Sequence, residues 1–278
     1  MSRDRSMQRA RDTPRSNRKR LSQNFLTDAA TARMIVRVAG VTRRDLVLEP
    51  GPGDGMLTGH LAAAARRVVA YEKDRRYADR LRRRYAGDDR VRCHSADFRE
   101  VRAPREPFVV VANAPFGITT DLVRWCLSAR TLTSATLVTQ LEFARKHTGD
   151  FGRWTKLAVT AWPETAFELG PRIGRREFHP VPRVDAAVLR LSRRPEPLLP
   201  RSALGEYRRL VELGFSGVGG SLAASLRRSH PARGVERACV AAGVAGDQPV
   251  GFVSPERWVR LFLSLRRWAA FGNEEASC

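Results

Sequence analysis

The chain is poor in everything that would anchor or staple it. No apolar run approaches the roughly 20 residues that a bilayer-spanning helix needs. The first residues are basic and polar, without the apolar stretch of a secretory signal, so a cytoplasmic location is expected. Cysteine is scarce: Cys93, Cys126, Cys239 and Cys278 lie far apart, with no C-x-x-C pair. That excludes a disulfide framework and the usual zinc spacings. The five histidines are equally dispersed, and no metal is expected. Lysine is nearly missing, four among 50 basic residues, as in a chain with arginine-biased codons. Such bias does not explain the shortage of acids, 29 against 50, which leaves a net charge of +21. An excess of that size points to a polyanionic partner. Nucleic acid is favoured over a membrane, since no basic amphipathic helix carries a broad apolar face.

What is present divides the chain into three. Residues 1–20 hold eight Arg or Lys and almost nothing apolar, the composition of a disordered basic arm. Residues 21–194 alternate helical segments with the apolar runs DLVLEP, RRVVAYE, RVRCHSAD, FVVVANAP, ATLVTQ, AFELG and AAVLRLS. Strands of that length separated by helices predict an α/β fold, a mostly parallel sheet covered on both faces. Asp28 is placed to cap a helix over 29–39. The last two runs lack a helix between them and are compatible with an antiparallel hairpin. After the proline-rich RRPEPLLP, residues 195–278 carry only helical periodicity and are expected to form a small all-α domain. Leu204, Tyr207, Leu210 and Val211 mark one apolar face there, and Trp258, Leu261, Phe262 and Leu265 another.

Between the first strand and its helix stands EPGPGDG, residues 49–55. Glycines in such a turn let the backbone bend sharply and approach a ligand. A phosphate-binding P-loop would need G-K-[ST], and a dinucleotide fingerprint would need Gly or Ala where Met56 stands. The spacing G-x-G-x-G, with Gly51 and Gly53, fits neither. Glu72 closes the next strand 21 positions after Gly51, the distance at which a carboxylate accepts from ribose hydroxyls. Asp97 closes the third strand, near where an adenine ring would lie. Ligands of such sheets bind beyond the carboxyl ends of the strands, so these residues face one crevice.

The fourth strand ends in NAPF, residues 113–116. An exocyclic adenine amine is a weak nucleophile because its lone pair is drawn into the ring. The Asn113 side-chain oxygen and the Ala114 carbonyl can each accept one of its N–H groups and localise that pair toward a methyl sulfonium. Pro115 fixes the turn that aims both acceptors. Phe116 offers a face to a base drawn out of its stack, or else packs into the core.

QNFL (23–26), EPGPGDG, Glu72, SADF, NAPFG, TQLEFARKHTGDFGRW (139–154) and FHPVPRVDAAVLRL (178–191) occur in that order. In this the chain resembles the Erm family of 23S ribosomal RNA adenine-N6 methyltransferases, from about Ser22 to Leu265. These enzymes give resistance to macrolide, lincosamide and streptogramin B antibiotics. QNFL and NAPF are shared with the wider rRNA adenine dimethyltransferase superfamily, while EFARK…GDFGRW and the short C-terminal domain favour Erm. The resemblance implies a Rossmann-like class I methyltransferase sheet. It implies contacts to S-adenosyl-L-methionine from Asn24, Leu26, Gly51, Glu72, Asp97 and Asn113. Asn113 and Phe116 would be the chief catalytic positions. Phe178 would be a second aromatic near the target base, or else core packing. Ala114 stands where the family more often has Ile or Leu. The expected partner is 23S rRNA before full ribosome assembly, met by a monomer. A small-subunit rRNA dimethyltransferase and a non-catalytic RNA-binding or transcription factor of the same fold are the alternatives.

Overall fold

The computed structural model describes residues 24–113, 115–217 and 220–275. The basic arm at 1–20 and Ala114 lie outside the described residues. The main sheet has seven strands: β2 (Leu46–Pro50), β3 (Arg67–Glu72), β4 (Val91–Ser95), β5 (Phe108–Ala112), β6 (Leu132–Gln140), β7 (Thr165–Ile173) and β9 (Ala186–Arg193). Their order is β4-β3-β2-β5-β6-β9-β7, parallel from β4 to β6. β9 runs antiparallel between β6 and β7. The two apolar runs with no helix between them therefore pair antiparallel, as anticipated.

Helices cover both faces, which is why β2 and β5 are buried at every position. Alternate residues feed two cores. Val109 and Val111 join Ile35, Leu61 and Phe178 on one face. Phe108, Val110 and Ala112 join Leu122, Leu189 and the C-terminal helices on the other. Helix α1 (Ala29–Ala39) begins at Asp28, whose Oδ2 accepts from the Thr31 amide at 2.6 Å. Helix α2 (Met56–Ala64) follows the glycine loop, and α3 (Arg75–Arg84) buries Tyr77, Ala78 and Leu81 while its arginines face solvent. Next come α4 (Thr119–Ser128), α5 (Leu141–Thr148) and α6 (Lys156–Ala161).

The C-terminal helices are α7 (Leu204–Gly214), α8 (Leu222–Leu226), α9 (Ala232–Ala242) and α10 (Pro255–Glu275). The apolar faces read from the sequence, Leu204 to Val211 and Trp258 to Leu265, are buried. They continue the core of one sheet face, and the Tyr207 hydroxyl donates to the Val159 carbonyl of α6 at 3.0 Å. One element escapes the periodicity altogether. β1 (Phe25–Leu26) pairs antiparallel with β8 (Phe178–His179), Leu26 opposite Phe178. Two-residue strands carry no alternation to detect.

Candidate active site

β2 delivers the chain into a loop where Gly51, Gly53 and Gly55 all take positive φ (64°, 59° and 86°), a region that side chains rarely enter. A Cβ on Gly53 would lie 2.5 Å from the Phe25 ring, so the loop and the first strand leave room only for backbone. The Gly51 amide donates to the Tyr71 carbonyl at 2.9 Å. Glu72, 1% exposed, holds the loop from the next strand end. Its Oε2 accepts from the Gly53 amide at 3.0 Å and its Oε1 from the Asp74 amide at 2.8 Å. Burial raises the pKa of this carboxyl, against the pull of those amides. Each oxygen keeps further lone-pair capacity for a hydroxyl.

Glu49, one residue before the loop's first turn, was not singled out by motif spacing. It is 1% exposed, and neither carboxylate oxygen has a hydrogen-bond partner among the described residues. Burial pushes its pKa up to about 8; Thr58 nearby offsets part of this, and the negative Glu72 and Asp54 add to it. Thr58 does not reach hydrogen-bond geometry, since its own hydroxyl is also unpartnered. A buried acid without a partner is costly unless something arrives to meet it. The available signal was positional: an acid between an apolar strand and a glycine turn.

Asp97 stands at the end of β4 with its carboxylate fully engaged. Arg99 reaches it through its backbone amide (3.1 Å), Nε (3.0 Å) and a terminal nitrogen (2.6 Å), and Lys73 Nζ adds a fourth contact at 3.0 Å. Arg99 foremost holds this carboxyl well below the usual range. A ligand amine would have to displace one of these cations to bond to it.

Asn113 closes β5 half-buried, and its Nδ2 donates to the Asn24 main-chain carbonyl at 2.9 Å. That contact sets the amide's orientation and turns Oδ1 to the other side. Asn24, Leu26, Glu49, Gly51, Asn113 and Pro115 line one cavity. Glu72 and Asp97 do not line it and extend the same rim along β3 and β4. Phe116 is half-exposed at the start of the next turn, and Phe178 meets it edge-on at 6.4 Å between centroids. Phe178 itself is 1% exposed and belongs to the core. In this conformation it backs Phe116 and has no open face for a base.

The site thus places a glycine turn, two buried acids and an oriented amide at the ends of β2, β3 and β5, with Asp97 beyond β4, a methyltransferase arrangement on a methyltransferase sheet. The chain belongs to the ribosomal RNA adenine dimethylase family, whose model matches residues 15–267. It is similar to the rRNA methyltransferase of Streptomyces thermotolerans, with 51% identity over 87% of this chain and 81% of that one. With the rRNA adenine N-6-methyltransferase of Streptomyces fradiae it shares 50% identity over 90% and 79% of the two chains. The crystal structure of 23S rRNA methyltransferase ErmE superposes with a TM-score of 0.84 at 49% identity, covering 87% of this chain and all of that one. Among the described residues no helix is long and apolar enough to cross a membrane.

Proposed function

We propose that this chain methylates the exocyclic N6 of one adenine in 23S rRNA with S-adenosylmethionine as donor, and so confers resistance to macrolides, lincosamides and streptogramin B. It acts in the cytoplasm as a monomer, on rRNA not yet fully assembled. The observation that carries this reading is the Asn113 amide, oriented by the Asn24 carbonyl and set beside the glycine loop.

The residues present fit the cofactor. The loop has no room for a side chain at Gly53, Glu72 can accept from ribose hydroxyls, and the orphaned Glu49 suits a cationic group. When bound, S-adenosylmethionine supplies an electrophilic methyl on a positively charged sulfur. The protein's work is placement. Asn113 Oδ1 accepts one N–H of the adenine amine, which draws the nitrogen lone pair out of the ring. The Ala114 carbonyl accepts the other. Pro115, with φ −53°, fixes the turn that follows, and Phe116 supports the flipped base. No strong base is required, because the amine's acidity rises sharply once it is alkylated and its proton leaves to solvent. The rate gain comes from orientation and fixed acceptors.

Primer extension on rRNA from cells expressing the wild type or Asn113→Ala tests the proposal. The expected result is one new stop in 23S rRNA that the variant lacks, together with loss of macrolide resistance. A stop near the 3′ end of small-subunit rRNA, or no stop in either, would overturn it.

A further inference from the structure

The cofactor residues occupy only half of the sheet's rim. Asn113 stands at its middle, with β2, β3 and β4 on one side. On the other side three connections reach the same rim: α5 leaves the end of β6, Arg175 follows the end of β7, and Arg183 to Asp185 lead into β9. Because β9 is antiparallel to its neighbours, its entrance lies level with their exits. Together they border an open cavity of about 410 Å³, lined by Arg145, Phe151, Arg175, Arg183 and Val184 and also by the acids Glu142 and Asp185.

The walls are built rather than incidental. Gly149 caps α5 in the left-handed region, with φ 73°, and a Cβ there would lie 2.2 Å from the Trp154 ring. Gly152 also takes positive φ, 65°, and donates to the Gly149 carbonyl at 2.8 Å. The tight loop between them presents Phe151 with 49% of its surface exposed. The Arg145 guanidinium lies over that ring at 4.1 Å and is tethered by Asp150. Opposite, Asp185 ties the wall together: it accepts from the Arg175 amide at 2.9 Å and from Arg172, and its carbonyl accepts from the Leu141 amide at 2.9 Å. Arg175 adds to the field that holds the Asp185 carboxyl below its ordinary range, and the Arg183 side chain lines the same cavity.

An exposed aromatic under a guanidinium, facing two further arginines, has the chemistry that holds a nucleobase and its phosphates. The cavity volume is ample for one base. We propose that this pocket takes a nucleotide adjoining the target adenine in the RNA chain, its base against Phe151 and Arg145 and its phosphates against Arg175 and Arg183. The inference rests on the RNA-adenine reading above and adds to it a place where sequence context is read. A larger cavity of about 730 Å³ near Lys156 and Arg208 is a weaker candidate, because those cations are already paired with Glu212 and Glu164.

The test uses the full chain and a hairpin RNA carrying the mapped adenine, with an abasic nucleotide placed on either side of it in turn. For the wild type, one of the two abasic RNAs should lower kcat/KM about tenfold to a hundredfold, mainly through KM, the range typical of one stacked base. Phe151→Leu should lower kcat/KM on intact RNA by a similar factor and show no further loss with that abasic RNA. Phe151→Tyr should stay near wild type, and Arg183→Gln should flatten the salt dependence of RNA affinity by about one counterion. Two results would overturn the pocket while leaving the enzyme reading intact: equal rates on intact and both abasic RNAs, or abasic losses that add in full to Phe151→Leu. Failure of the wild type to methylate the intact hairpin would overturn the substrate reading and the pocket with it.

Discussion

The side-chain amide of Asn113 donates to the main-chain carbonyl of Asn24, 2.9 Å away and 89 positions earlier in the chain. Because a carbonyl only accepts, the contact decides which end of the amide points inward. The acceptor end is the one left to face an incoming amine.

Two substitutions therefore separate acceptor from orientation. Asn113→Ala should slow methyl transfer by about a hundredfold or more, the usual cost of losing a fixed electrostatic group, while cofactor binding falls much less. Asn113→Asp keeps an oxygen but sets it against the Asn24 carbonyl, and it should lose transfer as well. Calorimetric cofactor titration beside single-turnover rates distinguishes these effects. Substantial activity in Asn113→Asp would remove the orienting role of Asn24.

At Phe116 the alternatives are a stacking face and a core residue. Its half-exposure, with Phe178 behind it, favours stacking. Phe116→Tyr should retain most activity, and Phe116→Ala should lose about tenfold to a hundredfold with its melting temperature nearly unchanged. A large fall in melting temperature would return Phe116 to the core.

Glu49 predicts a pH signature. Its folded-state pKa, about 8, lies above the ordinary 4.5, so folding favours the protonated form. The stabilising contribution is complete below about pH 4.5 and is lost as pH climbs through about 8. Glu49→Gln should therefore match the wild type in melting temperature at pH 5 and exceed it at pH 8. Binding of a cationic cofactor lowers the carboxyl's pKa again, so near pH 7 the wild type should release protons on binding S-adenosylmethionine. Titrations in buffers of different ionisation enthalpy measure that release, and its persistence in Glu49→Gln would assign the proton elsewhere.

Lys73 and Arg99 compete for Asp97 with anything that would bond to its carboxylate. Lys73 is mostly exposed, so its ion pair contributes only about 0–1 kcal/mol. Lys73→Met should tighten S-adenosylmethionine binding by up to about fivefold and reduce its salt dependence. Weaker binding in Lys73→Met would make the ammonium a cofactor contact instead of a rival.

Deleting residues 1–20 removes eight basic groups and none of the site. RNA affinity should fall and its salt slope flatten, while the rate at saturating RNA stays near normal. Equal slopes for the full and shortened chains, in a filter-binding salt series, would confine RNA contacts to the folded surface.

Features encoded by neighbours in sequence were legible before the fold was known. Asp28 caps its helix because an acid preceding an apolar periodic run has one useful place to go, and β5 reads as a buried strand because every position is apolar, as is every position of β2 except Glu49. The glycine turn announced itself through spacing, and Glu72 through its distance from it. Other features depend on partners far apart in the chain. The Asn113–Asn24 contact and the pairing of Leu26 with Phe178 exist only once the sheet has formed. Glu49 was hidden for a different reason: an acid at a strand end normally reaches water, and only the closed loop above it reveals that this one cannot. The GDFG loop was visible as a family signature, but its exposed ring takes on meaning from Arg175 and Arg183, which arrive from other strands.

The short ladder between β1 and β8 makes a hinge-pin of two segments with separate duties. Leu26 lies on the strand that closes over the glycine turn, and its register partner Phe178 packs edge-on against Phe116. The Thr27 amide, bound to the Glu177 carbonyl at 2.9 Å, locks them one residue further along. Neither segment can shift without carrying the other. A small molecule that wedges Phe25 away from Gly53 would therefore also unseat Phe116, and inhibition of methyl transfer would follow from a compound that never touches the RNA.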